Sequence, residues 1–315
     1  MGLVTLADVR AAAKVLDGVA VRTPVVAFPG VQGLWLKQEQ LQPIGAFKVR
    51  GAYYAISRIP AARRAKGVIT HSSGNHGQAV AYAARALGIP ALVVMPDDSV
   101  QLKIDRVREL GAETVLVPVA ERFSVAERLT AERGLTFVPP YDHPDVLAGQ
   151  GTVGLEIAED VPDVEVVLAP VGGGGLVSGV AVAVKALRPG VAVIGVEPEL
   201  AADARDSRRA GHLVEWPVEQ RVRTLADGLR TSLSELTLRH ITALVDDIVT
   251  VSDDEIRATV GELARRADVV AEPSGAVTTA AYLHHRGELP AGKTVAVVSG
   301  GNIDPELFRT LVTQR

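Results

Sequence analysis

Short hydrophobic runs alternate along this chain with longer segments in which apolar residues recur every three or four positions. Gly88, Gly111 and Gly134 stand where three of the longer segments should end, and glycine is a common C-terminal stop of a helix. This alternation predicts parallel strands joined by crossover helices. In the first block the predicted strands are 67–70, 91–95, 114–117 and 135–138, and the predicted helices are 79–87, 103–110 and 125–133.

A second block with the same rhythm begins near residue 164. Its predicted strands are 164–168, 191–196, 248–251 and 294–298, and its predicted helices are 176–187, 253–266 and 275–284. The first 60 residues add a helix over 6–16 and a strand over 34–36, but periodicity does not say which block they join. The stretch 199–235 has no clear period and is assigned to loops and short helices.

Composition narrows the class of protein. A chain of 315 residues is long enough for two domains, and 47% hydrophobic with only 4% aromatic residues predicts an aliphatic core. A net charge of −4 argues against nucleic acid or an anionic membrane as a partner. The sequence has no uninterrupted run of about 18 apolar residues, so we expect no membrane-spanning helix. The N-terminus lacks a signal-peptide pattern. We therefore expect a cytoplasmic protein that acts on small molecules.

The chain has no cysteine, which excludes disulfides, thiolate metal sites and a catalytic thiol. Its basic residues are mostly arginine, so few amines could attack a carbonyl group. Lys48 lies between glycines and beside Phe47, where partial burial would make its amine nucleophilic. The alternative is a surface lysine in the first turn of a helix. The lysines are Lys14, Lys37, Lys48, Lys66, Lys103, Lys185 and Lys293.

Two loops between a predicted strand and a predicted helix could bind anions. Residues 71–78 are small or polar, and residues 172–175 are four successive glycines after a hydrophobic strand. Free amides at a helix N-terminus suit a phosphate or a carboxylate. Ordinary helix caps would also explain the first loop. A close packing turn could explain the second, although it would need only one or two glycines.

Two other kinds of binding site are alternatives for parts of the chain. Residues 173–178 loosely imitate a dinucleotide fingerprint, with Glu197 near the expected acidic position, but the third glycine is absent. Glu197 and Asp203 flank the Ala201 carbonyl and could bind a hard cation such as Mg²⁺ or Ca²⁺. An acidic surface loop is the alternative for that segment.

Taken together, these segments resemble fold-type II pyridoxal-phosphate enzymes, and most closely serine racemase and the threonine/serine dehydratases. The matching pieces follow the family's order along nearly the whole chain. They are residues 42–52 (QPIGAFKVRGA), 72–76 (SSGNH), 148–152 (AGQGT), 170–175 (PVGGGG), 197–198 (EP), 226–228 (ADG), 272–276 (EPSGA) and 299–302 (SGGN).

The resemblance implies two doubly wound α/β domains with mostly parallel sheets, as in the tryptophan synthase β-like enzymes. Residues 1–60 and 144–315 would form the large, cofactor-binding domain and 61–143 the small one. It also implies a homodimer. Lys48 would carry pyridoxal 5′-phosphate and remove the Cα proton of an amino-acid substrate. Other cofactor contacts would come from Phe47 and Gly228 at the ring faces, Asn75 at the ring hydroxyl, Gly172, Gly173, Gly174 and Gly175 at the phosphate, and Ser299 at the pyridine nitrogen.

The resemblance also implies how substrate and metal are bound. The substrate carboxylate would contact Ser72, Ser73, Asn75 and His76, with Arg122 as a further contact. Glu197, Ala201 and Asp203 would hold Mg²⁺, Ca²⁺ or Mn²⁺. Ser73 stands where many threonine dehydratases have alanine, and its hydroxyl could return a proton on the face opposite Lys48, as in serine racemases. Ile44-Gly45-Ala46 replaces the more usual Thr-Gly-Ser.

The predicted reaction is the dehydration of L-threonine or L-serine to a 2-oxo acid and ammonia. Serine racemisation and dehydration of 3-hydroxyaspartate are the nearest alternatives, since they would use the same lysine and cofactor. A nicotinamide-dependent oxidoreductase and an amino-acid sensor without activity are alternatives from other classes.

Overall fold

The computed structural model describes residues 2–72, 74–99 and 101–313, and its strands form two sheets. The strands are β1 (Val25–Ala27), β2 (Leu34–Gln38), β3 (Val68–His71), β4 (Ala91–Pro96), β5 (Glu113–Val117), β6 (Thr136–Phe137), β7 (Val166–Pro170), β8 (Ala192–Pro198), β9 (Asp247–Val251) and β10 (Thr294–Val298).

Helices cover the sheets and connect their strands. They are α1 (Leu6–Leu16), α2 (Lys48–Arg58), α3 (Ala61–Arg64), α4 (Asn75–Ala86), α5 (Gln101–Glu109), α6 (Arg122–Arg133), α7 (Pro144–Asp160), α8 (Gly175–Leu187), α9 (Asp203–Ala210), α10 (Val218–Arg221), α11 (Glu235–Leu244), α12 (Asp253–Ala267), α13 (Pro273–His284) and α14 (Pro305–Thr313). Within the described ranges, none of these helices is both long enough and apolar enough to cross a membrane.

The larger sheet has the order β1-β2-β10-β7-β8-β9 and the smaller one β5-β4-β3-β6. Only β1 is antiparallel to its neighbour among the described pairings. Non-consecutive neighbours in both sheets require the crossover helices that the alternating pattern indicates. The prediction of an α/β protein with two mostly parallel sheets is therefore confirmed.

Both faces of the central strands in each sheet are buried, as expected for parallel sheets covered by helices, whereas the edge strand β5 is partly exposed. In β7, Val166 and Leu168 join one hydrophobic cluster, whereas Val167 and Ala169 join another on the opposite face. In β4, Val93 belongs to one hydrophobic cluster, whereas its neighbours Leu92 and Val94 belong to another on the opposite face. Aliphatic side chains dominate these clusters, in agreement with the low aromatic content.

The first 60 residues, which periodicity could not place, contribute to both halves of the molecule. Strands β1 and β2 extend the larger sheet. Helix α2 packs against α7 and also against α4, which follows a strand of the smaller sheet. Lys48 thus begins a helix that lies between the two sheets. The proposed domain boundaries at residues 60/61 and 143/144 remain a prediction.

Most predicted strands agree with the structure to within two residues, but several elements were missed. Helices α2, α3, α7, α11 and α14 and strand β1 were not predicted. In α7, every residue from Val146 to Ala158 is buried, so the helix has no polar face to create an amphipathic period. The stretch 199–235 does consist of loops and short helices, as expected.

Candidate active site

The carboxyl ends of the parallel strands carry most of the residues singled out in the sequence. Ser72 follows β3, Gly172 follows β7 and Ser299 follows β10. Lys48 reaches the same region because Ala46 forms an isolated β-bridge with Gly300. Ligands of open α/β folds bind at this edge.

The Lys48 amine is partly enclosed rather than freely solvated. Its Nζ donates a hydrogen bond to the carbonyl oxygen of Pro140 at 3.0 Å and lies 5.0 Å from the centre of the Phe47 ring. Burial lowers the pKa of Lys48 to about 8, while the nearby Glu272 opposes this shift. The interpretation as an ordinary surface lysine is therefore wrong, although Lys48 does stand in the first turn of a helix.

The four glycines connect β7 to α8 at a point where side chains would not fit. A Cβ atom on Gly172 would lie 2.9 Å from Leu229 Cα, and one on Gly173 or Gly175 would overlap Tyr141. Gly174 has a left-handed φ of +82°. Close packing thus accounts for all four glycines, and the expectation that it would need only one or two is wrong.

The start of α8 supplies the stronger argument for anion binding. Among the described residues, no side chain caps this helix, and Gly174 occupies the cap position. The first amides of a helix have no intrahelical acceptor, and the helix dipole makes that end attractive to a negative group. The bare glycine loop therefore offers amide donors to a phosphate group without a competing capping side chain.

The loop after β3 does not behave as a simple helix cap. Ser72 Oγ accepts a hydrogen bond from the Gly74 amide at 3.2 Å, and no side chain caps α4 among the described residues. The Asn75 side chain instead reaches across to the larger sheet, where its Nδ2 donates to Glu272 at 2.6 Å and its Oδ1 accepts from Asn302 at 2.7 Å. The capping alternative therefore fails for Asn75. Ser73 lies outside the described residues.

His76 is buried and electrically neutral near physiological pH. Its Nε2 pairs with the Val138 carbonyl oxygen at 3.0 Å, so this nitrogen carries the proton. Burial and the neighbouring Lys48 lower the pKa of His76 to about 3. Its imidazole ring therefore offers no positive charge to a carboxylate.

Four distant chain segments meet beside the glycine loop. The Gly228 amide donates to Ser274 Oγ at 2.9 Å, and Ser299 Oγ donates to the Ser274 carbonyl oxygen at 3.4 Å. The Ser299 carbonyl oxygen accepts from the Phe47 amide at 3.0 Å. Phe47, Gly228 and Ser299 are thus joined through one short hydrogen-bonded path.

Arg122 begins α6 near the end of β3. Its guanidinium lies 4.8 Å from the centre of the Phe123 ring, and its Nε has no partner among the described residues. Burial lowers the pKa of Arg122 from its usual range. The same arginine contributes, after burial, to lowering the pKa of His71 to about 4. A cation with an unpartnered donor therefore lies near the loop that begins with Ser72.

Glu197 and Asp203 form an acidic pair at the end of β8. Both oxygens of Glu197 accept backbone amides, from Ala204 at 3.0 Å and Arg205 at 2.8 Å. Burial raises the pKa of Glu197 well above its ordinary value, and Asp203 adds to the effect. Burial also raises the pKa of Asp203, whose Oδ2 lacks a partner among the described residues.

The acidic pair falls short of a cluster rich in metal-binding side chains. No group of three or more histidine, cysteine, aspartate or glutamate side chains that could hold a metal was found among the described residues. A cation here would depend on two carboxylates and on carbonyl oxygens such as that of Ala201.

Sequence reasoning gave no role to Glu272, Asn302 or Tyr141. Glu272 and Asn302 stood in matching segments, but nothing in a single sequence shows that both contact Asn75. Tyr141 covers two glycines of the loop and follows the residue that accepts the Lys48 hydrogen bond. The sequence pattern did not predict that the aromatic side chain of Tyr141 would pack against the glycine loop.

The chain matches the family described as "Pyridoxal-phosphate dependent enzyme" over residues 17–300. It is 42% identical to an L-threo-3-hydroxyaspartate ammonia-lyase of Saccharomyces cerevisiae, covering 89% of this chain and 86% of the relative. It is 41% identical to an L-threonine ammonia-lyase of Thermotoga maritima, covering 99% and 79%. The solved structure of maize serine racemase superposes with a TM-score of 0.93 at 34% identity, covering 98% and 97%.

Proposed function

The chain belongs to the family of pyridoxal-phosphate dependent enzymes, and from this premise we propose that it dehydrates L-threonine or L-serine to a 2-oxo acid and ammonia. One observation carries the proposal for the site: the Lys48 amine is enclosed, has a lowered pKa and meets the edge where the uncapped glycine loop begins α8. An amine nucleophile and an anion cradle are what a phosphorylated aldehyde cofactor requires.

The cofactor, when bound, withdraws electrons from the substrate Cα and makes its proton acidic. Lys48 holds the cofactor covalently and, once free, removes that proton. Its lowered pKa supports this role, because more of the amine is unprotonated near neutral pH. The proposed cofactor contacts are Phe47, Asn75, Gly172, Gly173, Gly174, Gly175, Gly228 and Ser299.

The substrate carboxylate is proposed to bind at the N-terminus of α4. Ser72 and Ser73 supply hydroxyl donors there, Asn75 supplies its backbone amide at the start of the helix, His76 supplies a further donor, and Arg122 supplies positive charge. Because the His76 ring is neutral and donates to Val138, we assign its contribution to the backbone amide rather than to a charged imidazole. The unpartnered Nε of Arg122 supports its place in this set.

Two related reactions are favoured by specific observations. The similarity to a 3-hydroxyaspartate ammonia-lyase favours a substrate with a second carboxylate, and the high structural similarity to serine racemase favours inversion at Cα. Inversion requires a proton donor opposite Lys48, a role proposed for the Ser73 hydroxyl.

A divalent cation, with Mg²⁺ as first choice, is proposed at Glu197, Ala201 and Asp203. The support is physical: two buried carboxyls with raised pKa values lie together, and a cation would compensate their desolvation. A cytoplasmic homodimer and the division into domains at residues 1–60 with 144–315 and at 61–143 complete the proposal.

Product analysis tests the function directly. The purified protein is supplied with pyridoxal phosphate and Mg²⁺ and offered L-threonine, L-serine and L-threo-3-hydroxyaspartate in turn. We expect 2-oxo acid and ammonia in equal amounts, and loss of at least about 10³-fold in rate for Lys48→Ala. The exposed Lys66→Ala serves as the matched control. D-serine without oxo acid would favour the racemase, and no product from any substrate would overturn the proposal.

A further inference from the structure

Four polar side chains from both halves of the molecule form a continuous chain of hydrogen bonds at Asn75. Arg106 Nη1 donates to Asn302 Oδ1 at 3.0 Å. Asn302 Nδ2 donates to Asn75 Oδ1 at 2.7 Å, and Asn75 Nδ2 donates to Glu272 Oε1 at 2.6 Å. Every bond in this chain points the same way, from a cation towards a buried carboxyl group.

Arg106 fixes the orientation of the Asn302 and Asn75 side-chain amides, because it can only donate hydrogen bonds. A guanidinium cannot accept a hydrogen bond, so Asn302 must turn its oxygen towards Arg106. Both hydrogens of Asn302 Nδ2 are then used, one on Asn75 and one on the Ile44 carbonyl oxygen at 2.8 Å. Asn75 must in turn present its oxygen to Asn302, which leaves its nitrogen on the side of Glu272.

Among the described residues, this arrangement leaves the Asn75 side chain with one donor that has no partner. Its Oδ1 faces Asn302 and one Nδ2 hydrogen is bonded to Glu272, so the second Nδ2 hydrogen remains. Space at this junction is provided by glycine, since a Cβ on Gly45 would lie 2.7 Å from Asn302 Oδ1. The left-handed φ of +71° at Gly45 favours glycine there in any case.

Arg106, the first member of this hydrogen-bonded series, belongs to the half of the molecule built on the smaller sheet. Arg106 lies in α5, which connects β4 and β5, whereas Glu272 and Asn302 flank elements of the larger sheet. A second contact from the same helix reaches across as well, because Lys103 Nζ lies 2.8 Å from Asp227 Oδ2, next to Gly228. Helix α5 therefore contacts the larger half beside two proposed cofactor contacts.

We propose that Asn302, anchored by Arg106, is a positioning residue that fixes the Asn75 amide so that an N–H, and not the oxygen, faces the ring oxygen of the bound cofactor. The inference rests on the proposed function only in assuming that Asn75 meets that ring oxygen. If Arg106 anchors Asn302, the contact between Asn75 and the cofactor depends on the position of α5. The relative position of the two halves of the molecule then affects how the cofactor is held.

Three substitutions and a matched control separate this role from a merely structural one. Asn302→Asp keeps the acceptor for Arg106 but cannot donate to Asn75 or Ile44. Arg106→Met removes the anchor, and Arg106→Lys restores a donor. Arg108→Met is the control, since Arg108 lies on the same helix but bonds Thr114 within the smaller half. Thermal unfolding of each full-length variant confirms that it is folded.

The measurements are the apparent dissociation constant of pyridoxal phosphate, by equilibrium dialysis of the full chain, and the absorption maximum of the bound cofactor. We expect Asn302→Asp to bind about tenfold more weakly with a shifted maximum, because one hydrogen bond is worth about one decade of affinity. Arg106→Met should weaken binding about threefold, with its kcat reduced more than its KM is raised. Arg106→Lys and Arg108→Met should resemble the unaltered chain.

Unchanged affinity and spectrum in folded Asn302→Asp and Arg106→Met would overturn the inference. If Asn302→Asp does not fold, Arg106→Met alone decides. A Tm loss without a spectral or affinity change would assign these residues a structural role only and would also overturn it. Failure of the unaltered chain to bind the cofactor would instead contradict the proposed function, so the two failures are distinguishable.

Discussion

Two ionisable side chains in the site have pKa values displaced towards each other by the same cause. Burial lowers the pKa of Lys48 to about 8 and raises that of Glu272 to about 8. A low-dielectric surrounding disfavours the charged form of both an amine and a carboxyl group. Near neutral pH, Glu272 is therefore mostly uncharged and Lys48 retains a substantial unprotonated fraction.

The Lys48 shift predicts how cofactor capture varies with pH. Only the unprotonated amine attacks an aldehyde, so the rate should rise with pH and level off above about pH 8. Stopped-flow absorbance on the full chain, freed of cofactor beforehand, measures this rate. In Glu272→Gln the plateau should begin at slightly lower pH, because the fraction of Glu272 that is ionised near pH 8 favours the protonated amine and is lost in the variant. A rate that still rises steeply towards pH 10.5, the ordinary lysine value, would contradict the prediction.

At the scale of single elements, the first turn of α2 is fixed by a buried ionic network. Arg50 bonds Glu39 at 2.8 Å and Glu156 at 2.6 Å, and Lys37 bonds Glu156 at 2.5 Å. Burial alone raises the pKa of Glu39, but Arg50 lowers it below its usual range. Because Arg50 lies two residues after Lys48, the network also fixes the helix end that presents the amine.

Removing the guanidinium should destabilise the whole chain. Arg50→Met leaves two buried carboxylates without their main partner, and breaking such a pair costs about 3–5 kcal/mol. Urea unfolding measures the loss. Arg22→Met is the matched control, since Arg22 pairs with Glu159 and Asp160 at the surface, where solvent screening reduces the expected cost to about 1 kcal/mol or less. Equal losses in both variants would refute the special role of Arg50.

A second prediction at this scale concerns the glycine loop, residues 172–175. A Cβ on Gly173 would overlap the Tyr141 ring, so Gly173→Ala must displace either the ring or the loop. We expect a loss of about 1–3 kcal/mol in stability together with weaker retention of pyridoxal phosphate on dialysis. Gly190→Ala, where nothing lies within 4 Å of the added methyl, should be neutral in both assays. Retention unchanged in Gly173→Ala would mean that the loop does not hold the phosphate.

Element prediction from the sequence succeeded where polar and apolar residues alternate and failed where they do not. Strand β10 was placed at its observed bounds, because its hydrophobic run is flanked by polar residues and glycine. Helix α7 was missed because burial on all sides removes the periodic signal. The glycine loop was recognised, but its packing against Tyr141 depends on tertiary contacts that no local pattern contains.

At the scale of the whole molecule, the site exists only because the two sheets come together. Lys48, Asn75 and Ser299 are far apart in sequence and meet through contacts such as the Asn75–Glu272 bond, 197 residues apart. The resemblance to a family anticipated this assembly, whereas composition and periodicity alone did not. Neither the resemblance nor the sequence pattern predicted the Asn302–Asn75 contact, because it depends on how the two amide groups are oriented.

The proposed cation is also tested on the whole molecule, through its effect on unfolding. A ligand that binds only the folded state raises Tm, and near-saturating Mg²⁺ should raise it by about 4 °C. Glu197→Gln should abolish this rise, because an amide is a weaker ligand for a divalent cation than a carboxylate. Without metal it should also cost about 1–3 kcal/mol, since both oxygens of Glu197 accept backbone amides and the glutamine nitrogen cannot. The exposed Glu199→Gln should keep the full rise. A rise that persists in Glu197→Gln would place the cation elsewhere.

The most direct measurement concerns the amine that carries the cofactor. The full chain is loaded with pyridoxal phosphate, reduced with borohydride and digested, and the modified peptide is identified by mass spectrometry. We predict a single pyridoxyl-phosphate group on Lys48, retained in Lys66→Ala and lost in Lys48→Ala. A label on any other lysine, or no label on a chain that still turns over its substrate, would contradict the account.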